Sequence, residues 1–269
     1  LRIDNEVGSI APGKIADVLI VDDLPTFKIR TVIANGQIVV HNSEFLLELR
    51  SPKYPKFMYN TVKLRRPLKP KDFEIKCPKE REEVTIRVIG VKEGTLITEE
   101  RFVRIKVSEG LLKPDIEKDL LKIAMIDRFH MSGKVGIGFV QGFKLKWGAI
   151  GTTYAPTTEN IIVVGTNDED MCFAANKIAE MGGGHIAVKN CKVLAQLELP
   201  LCGLLSDKPL EYVVEKQNKL YEVIKQMGCE FADPINTLAF VGVAPEIGTL
   251  KICEKGIMNV TEKRIVPLI

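Results

Sequence analysis

Histidine is nearly absent from this sequence: His41, His130 and His185 are the only three in 269 residues. They are scattered, with no HxH, HxxH or HExxH spacing among them. Hydrolytic metal centres need several imidazoles and carboxylates converging around an open coordination position. A binuclear or zincin-type site built by this chain alone is therefore not expected, and no residue is assigned as a metal ligand. Cysteine is present but unpatterned. The six, at 77, 172, 191, 202, 229 and 253, show no CxxC spacing, and several lie inside apolar runs. Buried free thiols are the expectation, not zinc or disulfides. A dominant charge sign is missing too: 38 basic against 35 acidic side chains leave a net +3 spread along the chain. That is too weak a footprint for nucleic acid, which is set aside as a partner. No run approaches the roughly 18 apolar residues of a membrane span, and LRIDNEVGS carries no signal-peptide pattern. No membrane partner and a cytoplasmic location are expected.

With 45% hydrophobic and 27% charged residues, the chain can bury a substantial core. It opens on Leu1 rather than Met and enters a strand-and-turn pattern at once, so the back portion of a longer protein is expected. Residues 1–50 read as a small antiparallel β unit. Ala16 to Asp22 is a buried-strand candidate, and Arg30–Ala34 and Gln37–His41 flank Asn35-Gly36, whose turn needs positive φ at both positions. Residues 51–83 are rich in proline and lysine and read as an irregular connector crossing a surface, with room for short edge strands.

From 84 to 269 the pattern is that of one α+β domain with strands outnumbering helices. VTIRVIGV, TLITEE and RFVRIKV read as strands. DLLKIAMIDR fits a helical stripe or an alternating strand, and the glycine-punctuated strands VGIGFVQGF and WGAIGTTYA that follow favour strand. NIIVVGT has the unbroken apolar run of a strand buried on both faces. A first helix is expected to open with a Thr166–Glu169 capping box, to carry Met171, Ala174, Ala175, Ile178 and Met181 on one face, and to end at Gly182-Gly183-Gly184. The hairpin HIAVK/KVLAQLEL follows. A second helix is expected to start at Ser206, with Pro209 in its first turn, and to stop at Gly228. It would lay Leu210, Val213, Val214, Leu220, Tyr221, Ile224 and Met227 on a sheet. DPINTLAFVGVAPEIGTLKICEKGIMNV reads as strand or loop.

Few residues invite a chemical role. His41 reads as a surface residue at a strand end, and His185 as a satisfied structural histidine. His130, in the polar turn DRFHMSGK, is the one histidine whose context suits function. The triple glycine follows a helix instead of preceding one, which is the wrong geometry for cradling phosphate. The acids Asp168, Glu169 and Asp170 complement a helix dipole and would repel an anion. A solvated first turn is the ordinary reading there, and a divalent-cation site the alternative. No Ser-His-Asp or Cys-His constellation can be assigned.

Two stretches resemble known families. GSIAPGKIADVLIVDDL followed by VIANGQIVV resembles the segment that leads out of the barrel of metal-dependent amidohydrolases into their small β-sandwich. VGIGFVQGF, GAIGTTYA, NIIVVGTNDEDM, the helix ending EMGGG, and VLAQLELPLCGLLSD resemble the C-terminal domain of bacterial and archaeal adenine deaminases, from about Asp119 onward. The resemblance implies conversion of adenine to hypoxanthine and ammonia by water activated at a manganese or iron centre in an upstream barrel, with a homo-oligomer as the assembly. It implies that this chain alone is not catalytically complete. It also implies a substrate-pocket edge near His130, Thr157, Glu159 and Asn160. Where the family is expected to read Ala-His-Asp-Ser-His-Asn, this chain has Ala155-Pro156-Thr157-Thr158-Glu159-Asn160, and where Arg-His is usual it has Arg128-Phe129, with His130 one position later. Any contribution of those histidines is absent or rearranged. The alternative reading is a non-catalytic structural, regulatory or purine-binding partner of a separately encoded barrel.

Overall fold

The computed structural model describes residues 2–48, 52–78, 81–243 and 247–269. The chain divides into two compact units, Leu1–Tyr54 and Pro55–Ile269. The expected boundary between residues 50 and 51 lies outside the described residues.

The first unit is a four-stranded antiparallel sheet of β1 (Val18–Val21), β2 (Ile29–Ala34), β3 (Gln37–His41) and β4 (Glu44–Phe45), paired in that order. The β2–β3 hairpin turns at Asn35-Gly36, with φ of 49° and 77°, as the dipeptide predicts. His41 is exposed, its Nδ1 3.0 Å from the Thr31 hydroxyl.

The second unit holds a ten-stranded sheet. Its members are β5 (Ile75–Lys76), β6 (Glu83–Gly90), β7 (Glu99–Ser108), β8 (Leu111–Leu112), β9 (Leu121–Ile126), β10 (Val135–Gln141), β11 (Ala149–Thr152), β12 (Ile161–Gly165), β13 (Gly184–Lys189) and β14 (Lys192–Glu198). The spatial order is β14-β13-β11-β12-β9-β10-β6-β7-β8-β5, antiparallel except where β10 meets β6. A three-stranded sheet, β15 (Leu250–Cys253), β16 (Gly256–Asn259) and β17 (Arg264–Ile265), completes the strands. Among the described residues three α-helices accompany them: α1 (Asp168–Glu180), α2 (Leu210–Gln226) and α3 (Pro234–Val241). The α+β class holds, with one helix more than the sequence suggested.

The central strands are apolar on both faces because each face is covered. On β9, Leu121, Ile123 and Met125 join a core with α2, α3 and the β15–β16 hairpin, whereas Ala124 and Ile126 join a second core beneath α1. The period-2 alternation splits β12 the same way: Ile162 and Val164 face one core, Ile161 and Val163 the other. Burying side chains of this size contributes roughly 1.5–3 kcal/mol each. Val62, Leu68 and Phe73, from the proline- and lysine-rich stretch, are buried, and all three pack into the core under α1.

Several sequence expectations need correction. The helix cap is Asn167, whose side chain accepts the Asp170 N–H at 2.7 Å, because the Thr166 hydroxyl is already committed to the Gly148 carbonyl at 3.1 Å. Helix α2 begins at Leu210 with Pro209 as its cap, while Ser206 serves a local turn to the Lys208 N–H. Only its later half lies on the core: Leu220, Ile224 and Met227 are buried, but Leu210 and Val214 are exposed. TLITEE is not a separate strand; β7 starts at Glu99, and the Thr98 hydroxyl instead donates to the Leu250 carbonyl at 2.5 Å. DPINTLAFV is α3, capped by Asp233 and started by Pro234.

Candidate functional site

The residues singled out in the sequence gather at one end of the ten-stranded sheet. Antiparallel pairing puts the end of β9 beside the start of β12, with Ile126 opposite Ile161. It also puts the end of β11 beside both β12 and β13, with Thr152 opposite Ile162 and His185. The segments 127–134, 153–160 and the start of β13 therefore meet there.

Asp127 organises the first loop. Its carboxylate accepts the Phe129 and His130 N–H groups, each at 3.1 Å, the Ser132 N–H at 3.0 Å and the Ser132 hydroxyl at 2.5 Å. Burial alone would raise its pKa, but these donors outweigh burial and hold it well below the ordinary carboxylate range. A carboxylate so saturated is a poor base and a good loop anchor. His130 lies outside, 88% exposed at its side chain, with Nδ1 3.4 Å from Asp127.

Arg128 points the other way. The residue is only 2% exposed, and its guanidinium donates from Nε to the Glu159 carbonyl and from Nη2 to the Cys202 carbonyl at 3.0 Å. Its backbone N–H donates to Asn160 Oδ1 at 3.2 Å, and the guanidinium lies 4.4 Å over the Phe129 ring. Three segments distant in sequence are thus pinned by one side chain. The 155–160 turn bends back on the Ala155 carbonyl, which accepts from Thr158 and Glu159 N–H at 3.1 and 2.6 Å. Thr157 and Glu159 sit at φ of 76° and 51°. For a β-branched residue such as Thr157 that conformation costs about 1–3 kcal/mol.

The Cys202-Gly203 loop closes the arrangement. Cys202 donates its N–H to the Met58 carbonyl at 2.6 Å, and Thr153 bridges by donating to the Gly203 carbonyl at 2.5 Å and accepting the Gly184 N–H at 2.8 Å. A Cβ on Gly203 would lie 2.6 Å from both Arg128 Nη1 and the Val62 side chain, so this position has room only for glycine. Among the described residues, three buried side-chain atoms have no hydrogen-bond partner: Thr61 Oγ1, Arg128 Nη1 and Glu159 Oε2. Burial raises the Glu159 pKa and lowers that of Arg128, while the two opposite charges counter both shifts.

Of the four expected site residues, Glu159 and Asn160 are drawn into the Arg128 network, whereas His130 and Thr157 are exposed. Arg128, Asp127 and the Cys202-Gly203 loop were not singled out by residue chemistry. The partners of Arg128 and of the Cys202-Gly203 loop are far away in sequence, whereas those of Asp127 lie within five residues, so the Asp127-x-x-x-x-Ser132 spacing offers a local hint. His185 is buried and neutral, its Nδ1 2.8 Å from the Thr152 hydroxyl; burial pushes its pKa down to about 4.

Of the three acids at the start of α1, Glu169 is exposed as a solvated first turn would have it, whereas the other two are engaged within the fold. Asp168 pairs with the buried Lys122 at 2.7 Å, and buried Asp170 accepts the Cys191 N–H at 2.7 Å. Among the described residues, no three His, Cys, Asp or Glu side chains are grouped to hold a metal ion, so these residues do not fit a catalytic metal. The six cysteines are free; Cys77, Cys172 and Cys229 are buried, but Cys191 is exposed. No helix among the described residues is long and apolar enough to cross a membrane. A groove of about 520 Å³ between α2 and residues 230–232 contains none of the expected site residues.

Residues 95–264 match the adenine deaminase C-terminal domain family. The chain belongs to that family. Curated relatives agree along nearly its whole length: it is 38% identical to an adenine deaminase of Clostridium botulinum (strain Langeland) over 99% of the chain. It is 39% identical to the adenine deaminase of Thermosipho africanus over 97%, and 34% identical to that of Moorella thermoacetica over 99%. The chain spans only 44–45% of the length of these relatives.

Proposed function

We propose that this chain serves as the C-terminal part of a cytoplasmic, homo-oligomeric adenine deaminase. In the whole protein, adenine and water would give hypoxanthine and ammonia: water adds at C6, the C6–N6 bond breaks, and the amine leaves as ammonia. A manganese or iron ion would activate the water in a barrel region upstream, since a bound metal lowers the pKa of its water toward neutrality. Residues 1–50 would contribute to the β-sandwich beside that barrel. The end of the sheet around His130, Thr157, Glu159 and Asn160 would edge the purine pocket. The observation that carries this reading is the family match over 95–264 together with the 44% share of its relatives' length.

The test compares the complete reading frame in which these residues lie with the 269 residues alone, both supplied with manganese or iron. Ammonia release from adenine by the complete product and none by the shorter chain is the expected result. Turnover by the 269 residues alone, or none by the complete product, overturns it.

A further inference from the structure

Helix α2 carries two stripes, and only one of them meets the core. Leu220, Ile224 and Met227 are buried in the core, whereas Leu210 and Val214, 72% and 48% exposed, point elsewhere. At about 100° per residue, Leu210, Val214, Asn218, Tyr221 and Lys225 fall within about 80° of the helix surface, on the side away from those three core residues. A second stripe therefore runs the length of the helix.

Its two halves have opposite shapes. Leu210 and Val214 project from the first half, whereas in the second half Asn218, Tyr221 and Lys225 line the groove of about 520 Å³, with Phe231 and Ala232 also lining it. The groove is held in place by the chain itself. The Tyr221 hydroxyl donates to Asp233 at 2.6 Å and accepts from Gln217 at 3.2 Å, and the Phe231 ring packs edge-on against Phe143 with centroids 5.4 Å apart. A helix with knobs at one end and a formed groove at the other complements an antiparallel copy of itself.

The spacing agrees with that pairing. Val214 and Leu210 lie about 6 and 12 Å to one side of Asn218 along the axis, and Tyr221 and Lys225 about 5 and 10 Å to the other. A two-fold axis at Asn218 thus sets Val214 of each copy over the groove of the other. The same axis brings exposed Glu211 opposite exposed Lys225 of the second copy, and does so twice. Glu215 and Glu222 lie together on one rim, where water screens their approach.

We infer that the Leu210–Lys225 stripe of α2 is an isologous interface between two copies of this chain, packed antiparallel about Asn218. The choice of a second copy rests on the homo-oligomer of the proposed function; the match of shape and charge rests on α2 and its groove.

The experiment is sedimentation of the 269-residue chain and of the complete reading-frame product at concentrations up to about 200 μM, since association follows mass action. A dimer is expected from the 269 residues, and Val214→Glu is expected to leave them monomeric. Glu211→Lys and Lys225→Glu should each weaken the dimer about tenfold, and the two together should restore it. Under oxidised glutathione, Asn218→Cys should add a covalent dimer above the background of the native thiols, whereas Lys219→Cys, on another side of the helix, should not. Thermal melts verify that each variant is folded. A 269-residue chain that stays monomeric, a folded Val214→Glu chain that sediments like the parent, or a double charge reversal no tighter than the single ones overturns the inference. An oligomeric complete product that Val214→Glu leaves unchanged also overturns it, and the homo-oligomer then stands through another surface. Ammonia release from adenine, measured on the same preparations, reports separately on the deaminase reading.

Discussion

The Lys122 ammonium, 1% exposed, lies 2.7 and 2.9 Å from the two carboxylate oxygens of Asp168 and 3.0 Å from the Phe73 carbonyl. It fastens the second residue of β9 to the first residue of α1 and to the segment that precedes β5.

Removing one partner of a buried pair leaves an uncompensated charge, which costs about 3–5 kcal/mol. Asp168→Asn should therefore lower the unfolding free energy by about 3 kcal/mol in urea titrations. Lys122→Met combined with Asp168→Leu should recover most of that loss. A double variant as unstable as the single one would show that the pair does more than neutralise itself.

His185 ties stability to mild acid. Its folded pKa is about 4 against 6.5 unfolded, so between those values the unfolded chain binds the extra proton. Its contribution is fully present above about pH 6.5 and is lost as pH falls toward 4. The span of about 2.5 units corresponds to about 3 kcal/mol. Chemical denaturation at pH 7, 5.5 and 4 should show this decline, and His185→Asn should flatten it.

Asp127 acts in a lower window. Its folded pKa is depressed, so its contribution is present above the ordinary value of 3.8 and is lost as pH falls through the folded value. Asp127→Asn keeps the size but gives up charge-assisted bonds, and should cost about 2–3 kcal/mol at pH 7. Amide exchange at Phe129, His130 and Ser132 should rise more than exchange in β9.

Gly136 marks where the small sheet rests on the large one. A Cβ there would sit 1.8 Å from the Cys253 carbonyl and 2.6 Å from the Gly256 nitrogen, both backbone atoms that cannot swing aside. Gly136→Ala should destabilise by about 3 kcal/mol or more, measured by thermal or urea unfolding. Gly36, with open space around its Cβ direction, should tolerate alanine better despite its φ of 77°.

Much of the fold was legible because local chemistry and tertiary demand agree. Asn35-Gly36 fixes a hairpin, the apolar runs of β9 and β12 announce burial on both faces, and Gly182-Gly183-Gly184 ends α1. Helix α3 was obscured because Pro234, Ile235, Leu238, Ala239 and Val241 are all buried, leaving no polar stripe to give the 3.6-residue period. Its Asp233-Pro234 start signal was present and unread. The cap moved from Thr166 to Asn167 because of an acceptor on Gly148, invisible along the sequence. The candidate site was legible only in part. Glu159 and Asn160 lie where the turn suggested, but the residue that gathers them, Arg128, does so through carbonyls 31 and 74 positions away.

That reach has a kinetic corollary. The carbonyl of Cys202 becomes available to Arg128 only once the β13–β14 hairpin has returned the chain to this end of the sheet, and contacts between such distant segments form slowly because loop closure precedes their reward. The junction should therefore be among the last parts to assemble and among the first to open in native-state hydrogen exchange. A folding intermediate that lacks this hairpin would leave the Arg128 guanidinium without its Cys202 acceptor and the 155–160 turn without its anchor to the rest of the sheet end.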